Sequence, residues 1–197
     1  MTGRLAARGL SGAAMLAVAA CGTAAAPGPT TGPAVAAADL ARCPPATSSG
    51  SIAGGLPALS LRCLGVGPGV DLAGLRGTPT VLNLWASWCG PCQAEVPVLE
   101  SVYRDAGSRL RVLGVDVMDG GGAALSFAAA AGMTYPSVVD PGGESLHRLG
   151  LIGLPDTAFV TAAGRLVDIH VGPYGSRQQF AADIHRYLGI SLPLAKR

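Results

Sequence analysis

Apolar positions along this chain fall into short runs parted by glycine, proline and small polar residues, and the spacing within each run separates strands from helices. Thr80-Val81-Leu82-Asn83-Leu84-Trp85 is apolar almost throughout and of strand length, the pattern of a strand buried on both faces of a sheet. Leu110 to Val117 repeats that pattern. Between the two, Val96, Leu99, Val102 and Tyr103 recur at helical spacing, and Gly107 stands where a left-handed residue would cap the helix. Strand, helix and strand make a βαβ unit, which has to cross over right-handed.

Shorter signals flank this unit. Leu59 to Leu61 reads as a short edge strand, followed by a glycine-rich turn and Val70-Asp71-Leu72 leading to Leu75. Gly120 to Gly132 encloses a helix of alanines with Leu125 and Phe127. Tyr135 to Asp140 reads as extended, and a helical turn lies around Leu146 and Leu149. Asp156 to Thr161 and Arg165 to Val171 are strands joined through Ala162-Ala163-Gly164, a hairpin signal. Ser176-x-x-Gln179 has the form of a capping box and opens a helix with Phe180, Ile184, Tyr187 and Leu188 along one side. The sum is an α/β domain over residues 56–190: a central mixed sheet flanked by helices, with a helical insertion between a βαβ half and a ββα half. Residues 191–197 form a C-terminal tail. No internal repeat is present.

Composition alters the picture mainly at the N-terminus. Residues 1–20 carry Arg4 and Arg8 and no acid, then an apolar run from Leu10 through Val18, then small residues, which reads as an export signal too short to span a bilayer. Val18-Ala19-Ala20-Cys21 resembles a bacterial lipobox, which implies that Cys21 is acylated and becomes the new N-terminus; an ordinary signal peptide is the alternative. Residues 21–55 are then a lipidated tether. From Gly22 to about Gly55 there is hardly a large side chain to offset ordering entropy, so this stretch reads as flexible, spanning roughly 30 Å. Without the signal the chain holds 12 basic and 12 acidic side chains, and no nucleic-acid footprint is visible.

Five cysteines less Cys21 leave four, in a chain whose export signal implies an oxidising compartment. Cys89 and Cys92 lie two residues apart, so by exclusion Cys43 and Cys63 are the structural pair, clipping the end of the tether to the domain. The alternatives are that Cys43 and Cys63 are free, buried or bonded to a partner protein.

Cys89 and Cys92 stand where a strand turns into a helix. Cysteines at i and i+3 can close a small disulfide there, and the helix N-terminus directs amide N–H groups at the first sulfur, which favours thiolate at Cys89. The thiolate is the nucleophile in disulfide exchange; Cys92 then resolves the mixed disulfide. Half of a zinc site is the competing reading of such a pair. No second Cys-x-x-Cys and no close histidine pair exists to complete it, and His147, His170 and His185 are isolated. No metal or organic cofactor is expected beyond the redox-active disulfide itself.

The run from Asn83 through Trp88-Cys89-Gly90-Pro91-Cys92 to Glu95-Val96-Pro97 resembles the active-site signature of the TlpA/ResA-like branch of the thioredoxin superfamily. Gly153-Leu154-Pro155-Asp156-Thr157 resembles its cis-proline segment. The resemblance covers about residues 55 to 190 and implies a thioredoxin-like fold. It implies that Glu95 takes part in acid-base chemistry, with a surface glutamate favourable to the helix dipole as the alternative. It also implies that Pro155 is cis, presenting the Leu154 backbone to an extended substrate. Pro97 stands at the kink position of thioredoxins. Asn83 departs from thioredoxin, which has a buried aspartate there, but fits this branch. Trp88, directly before Cys89, would cover the sulfur and supply an apolar platform, with plain packing as the alternative, and Trp85 belongs to the core.

Gly90-Pro91 is the dipeptide of thioredoxin, a reductant near −270 mV, and tilts the reading toward a disulfide reductase. The implied clients are exported protein thiols and disulfides, as in cytochrome c maturation. The implied electron donor is a membrane protein of the CcdA/DsbD kind, and the implied location is the extracytoplasmic face of the cell membrane. A disulfide-forming oxidase of the same fold, and a non-catalytic binding lipoprotein, are the other functions to separate.

Overall fold

The computed structural model describes residues 39–45 and 50–193, which belong to one compact unit. Cys21, the signal segment and the C-terminal residues 194–197 lie outside the described residues.

Seven strands form one mixed sheet: β1 (Ser60–Cys63), β2 (Val70–Asp71), β3 (Thr80–Trp85), β4 (Arg111–Val117), β5 (Ser137–Asp140), β6 (Asp156–Val160) and β7 (Leu166–Val171), in the order β2-β1-β5-β4-β3-β6-β7. The helices are α1 (Gly90–Ala106), α2 (Gly121–Ala131), α3 (Glu144–Leu149) and α4 (Arg177–Leu188). β3 is parallel to β4 and antiparallel to β6. Every residue of β3 is buried, as a run apolar on both faces requires.

The sequence expectations are met at β3, whose ends coincide with the apolar run, and depart in three places. β1 is not an edge strand: it lies between β2 and β5, and β2 takes the edge. The extended piece read within the helical insertion turns out to be a full member of the sheet, since β5 pairs parallel with β4 and antiparallel with β1, tying the N-terminal hairpin to the sheet centre. Gly107 has φ 53° but ψ −133°, so the chain leaves α1 through a 3-10 turn and not through a left-handed helical cap.

Residues 39–45, in the stretch read as tether, lie packed on the domain. Leu40 and Cys43 are buried, Ala41 N donates to Thr134 O at 2.7 Å, and Cys43 N donates to Val66 O at 3.1 Å. Cys43 and Cys63 form a disulfide with Cα atoms 5.9 Å apart. Gly55 bridges to Arg165, so the segment just before β1 also lies on the sheet side.

Two apolar layers cover the sheet. One unites Trp85, Cys89, Cys92, Val96, Leu99 and Val102 with residues of α2 and α4; the other packs Leu82, Leu84, Leu113 and Val115 against the N-terminal hairpin and α3. Gly114, in β4, has no room for a side chain. A Cβ there would lie 2.3 Å from Ser137 Oγ and 2.7 Å from Trp85 Nε1, so the bare backbone lets the indole cross over the strand.

Candidate active site

β3 ends at Trp85, and the chain turns through Ala86 to Trp88 into α1, with Cys89 as the N-cap residue and Pro91 inside the first turn, where a proline needs no amide partner. Cys92 N donates to Cys89 Sγ at 3.2 Å, in the position of a capping hydrogen bond. Cys89 and Cys92 are joined in a disulfide with Cα atoms 5.3 Å apart; both are buried, with Cys89 5% exposed. The first turn of α1 has no acidic side chain to compete for its amides. The arrangement is suited to holding negative charge on the Cys89 sulfur once the bond opens.

A groove of about 430 Å³ runs beside that sulfur. Trp88, Cys89, Pro91, Met118, Ile152 and Leu154 line it. Trp88, Met118 and Ile152 are exposed apolar side chains, at 59%, 55% and 104%, gathered around one disulfide. Trp88 lines the groove beside Cys89, and its Nε1 donates to Met118 O at 3.2 Å. The Leu154–Pro155 peptide is cis, and Leu154 faces the groove.

Glu95, on the same helix as Cys92, is 1% exposed. It follows Cys92 by three positions, so the two share one side of α1. Asn83 Nδ2 donates to Glu95 Oε2 at 3.1 Å and to Thr157 Oγ1 at 3.2 Å, while Tyr174 N donates to Glu95 Oε1 at 3.0 Å. Burial raises the Glu95 pKa to about 7, outweighing these two hydrogen bonds, with the Asp156 charge adding to the rise. The carboxyl therefore changes charge in the pH range where thiols exchange. Pro97 lies inside α1 two residues on, and its missing N–H leaves the Gln93 carbonyl without its helical donor.

β3, α1 and the loop before β6 thus bring together Asn83, Trp88, Cys89, Gly90, Pro91, Cys92, Glu95, Leu154 and Pro155. Cys43 and Cys63 stand apart from this groove, at β1. Sequence reasoning gave no role to Tyr174, whose amide reaches Glu95, to Thr157, which accepts from Asn83, or to Asp156, whose charge acts on Glu95, and it missed Met118 and Ile152 in the groove. It also missed Asp116 and Asp119 on and after β4. Asp116 left one signal, an acid inside an otherwise apolar strand. Among the described residues no group of three or more Cys, His, Asp or Glu side chains is placed to hold a metal ion, and no helix is long and apolar enough to cross a membrane.

A sheet with β3 and β4 parallel at its centre, an antiparallel β6-β7 hairpin beside them, and a Cys-x-x-Cys pair capping the following helix defines a thioredoxin-like protein. Residues 53–184 match the profile of the Redoxin family, and the chain belongs to that family. It is 34% identical over 107 residues to the thiol:disulfide interchange protein CycY of Rhizobium leguminosarum bv. viciae, covering 54% of this chain and 56% of that protein. It is 27% identical over 128 residues to the thiol-disulfide oxidoreductase ResA of Bacillus subtilis (strain 168), covering 64% of this chain and 69% of that protein. The chain spans about half the length of CycY and of a DsbE homolog of Paracoccus denitrificans (strain Pd 1222), 56% and 50%. Among solved structures, MTB DsbF superposes with a TM-score of 0.58 at 28% identity, covering 67% of this chain and 98% of that one. A DsbF homologue from Corynebacterium diphtheriae gives 0.58 at 27%, covering 65% and 83%. The TlpA/ResA-like resemblance of the motifs and the thioredoxin-like fold both stand.

Proposed function

We propose that this protein is an exported thiol-disulfide oxidoreductase that reduces disulfides of extracytoplasmic proteins. The observation that carries the reading is Cys89: an N-cap sulfur receiving the Cys92 amide at 3.2 Å, bonded to Cys92, beside an apolar groove. In the reduced enzyme the Cys89 thiolate attacks a substrate disulfide, forming a mixed disulfide and releasing one substrate thiolate. The Cys92 sulfur, its proton taken by Glu95, then attacks Cys89 Sγ, closing the Cys89–Cys92 bond and releasing the second substrate thiol. A dithiol donor of the membrane, of the CcdA/DsbD kind, returns two electrons and restores both thiols. Trp88, Leu154 and Pro155 bind the substrate segment, while Asn83, Gly90, Pro91 and Pro97 shape the turn.

The relatives named as interchange proteins and oxidoreductases support this chemistry. Gly90-Pro91 supports the reducing direction, and clients in cytochrome c maturation fit the same chemistry. A lipid on Cys21 and a tether would hold the domain at the outer face of the membrane. A redox titration of Cys89–Cys92 against glutathione or dithiothreitol tests the direction. A potential near −270 mV is expected, and one near −120 mV would make the protein a disulfide-forming oxidase. A Cys92→Ser chain should strand its client on Cys89 in the native host, and recovery of no covalent adduct there would count against the reaction.

A further inference from the structure

Asp116 is a buried acid that the reaction above does not use, and unlike the buried Glu100, Asp140 and Asp156 it receives no hydrogen bond among the described residues. It lies in β4, 1% exposed, opposite Trp85 of β3 and Val139 of β5. Gly114 and Asp116 point to the same face, the one crossed by the Trp85 indole and covered by α1 and α2. Among the described residues neither carboxylate oxygen of Asp116 meets a donor, and on the same face Trp85 Nε1 and Ser137 Oγ likewise meet no partner.

A buried carboxylate with no donor is costly, whereas the neutral acid needs only an acceptor. That acceptor is present: the side chain that reaches Asp116 is the Asp119 carboxylate. Two ionised carboxylates can only repel, and with one proton between them the contact becomes a hydrogen bond. Asp119 is already committed as the anion. Ser87 N donates to its Oδ2 at 2.7 Å and Gly120 N to its Oδ1 at 2.7 Å. Ser87 opens the turn that delivers Cys89, and the same turn is held by Gln93 Nε2 on Ser87 O at 3.0 Å and by Trp88 Nε1 on Met118 O. Met118, between Val117 of β4 and Asp119, has φ 53°, so the backbone bends sharply to place the Asp119 side chain there.

We propose that Asp116 is a positioning residue of this thiol-disulfide site: it holds the shared proton of a carboxyl pair with Asp119, and through Asp119 it fixes the Ser87-Trp88 turn that presents Cys89. The kinetic part rests on Cys89 being the attacking sulfur; the carboxyl pair does not. Burial first, then the charge and hydrogen bond of Asp119, raise the Asp116 pKa to about 8, while the donors around Asp119 hold its own below the usual carboxylate range. The other ionisable groups toward this face are Glu95, Glu100 and Tyr103 on α1 and Tyr135 before β5, joined in the reduced protein by Cys89 and Cys92; α2 and the facing residues of β3 and β5 carry none. When Asp116 ionises, two negative charges share a dry site. The half-exposed Asp119 is the one able to turn to water, releasing Ser87 N. The turn should therefore be held below that pH and loosen above it.

An NMR pH titration of the full-length chain with both disulfides closed tests the pair. The Asp116 side-chain carboxyl carbon should titrate near pH 8, and the Ser87 amide should shift and lose protection with the same midpoint. In Asp116→Asn the amide group still donates to Asp119, so Ser87 should stay protected with no such midpoint. In Asp119→Asn the Asp116 midpoint should fall. An Asp116 that titrates in the ordinary carboxylate range, a Ser87 amide indifferent to it, or an Asp116 midpoint unmoved in Asp119→Asn overturns the pair. In the reduced protein, the Cys89 alkylation rate corrected for thiolate fraction should drop relative to Asp116→Asn between pH 7 and 9. The expected drop is roughly tenfold, the worth of one charge-assisted hydrogen bond. A constant ratio overturns the positioning role. A Cys89 that is unreactive in both chains would overturn the proposed reaction while the titration still decides the pair.

Discussion

The same covalent bond is placed in two different settings in this molecule. Cys89–Cys92 spans a sequence separation of 3 at the mouth of α1, with an amide donor on the first sulfur and an apolar groove beside it. Cys43–Cys63 spans a separation of 20 and joins residues 39–45 to β1, away from any helix end. The first bond has a helix-end amide directed at one of its sulfurs, which favours the open, anionic form; the second joins residues 39–45 to β1. Sulfur is equally capable in both places, so the difference in role comes from the surroundings.

The strongest attempt to break this contrast exchanges the cysteines. Cys89→Ser should abolish reduction of a protein disulfide, a loss of at least about a thousandfold, while Cys43→Ala with Cys63→Ala should leave the rate within about twofold. Comparable losses in both chains would erase the distinction. In denaturant the order reverses: the chain lacking Cys43 and Cys63 should lose about 3 kcal/mol, the loop-closure value for a cross-link of this span.

Glu95 sharpens the contrast through pH. Its pKa in the fold, about 7, is above the unfolded value of 4.5, so the stability contributed by its neutral form is complete below pH 4.5 and is lost as pH rises through 7. Glu95→Gln should therefore gain on wild type with rising pH, by up to about 3 kcal/mol at pH 8, measured as the difference in urea midpoints. It should also flatten the pH profile of Cys89 and Cys92 alkylation. The Cys43–Cys63 cross-link should show neither effect. The smallest change is expected at the groove: Ile152→Ser should lower kcat/KM for a protein disulfide by roughly threefold to tenfold and leave reduction by dithiothreitol unchanged, because a small thiol needs no apolar wall.

The features legible in the sequence were those carried by local spacing. β3 could be read end to end because a strand covered on both faces must be apolar on both, and α1 because its stripe and proline lie within a few turns, although its C-terminal cap was not the one expected. The Cys89 and Cys92 pair was legible for the same reason. What escaped depends on pairing between distant segments. Tyr174 N meets Glu95 across 79 positions, and nothing near Tyr174 announces a backbone amide aimed at a carboxylate. β1 read as an edge because its own sequence cannot show that β5 will pair with it. The clip at Cys43 was legible by exclusion, but the packing of the rest of residues 39–45 escaped, because Leu40 is an isolated apolar position in a run of small residues and the backbone bonds from Ala41 to Thr134 and from Cys43 to Val66 join distant segments.

Gly114 has a consequence for which substitutions this protein tolerates. Trp85 is the last residue before the active-site turn, and its indole passes through the space a methyl group would need. Adding the smallest side chain at Gly114 would push on that indole, and the displacement would be passed along the backbone to the sulfur. A site lacking any functional group of its own can thus govern a reactive centre, and a survey that scores residues by their chemistry would pass over it.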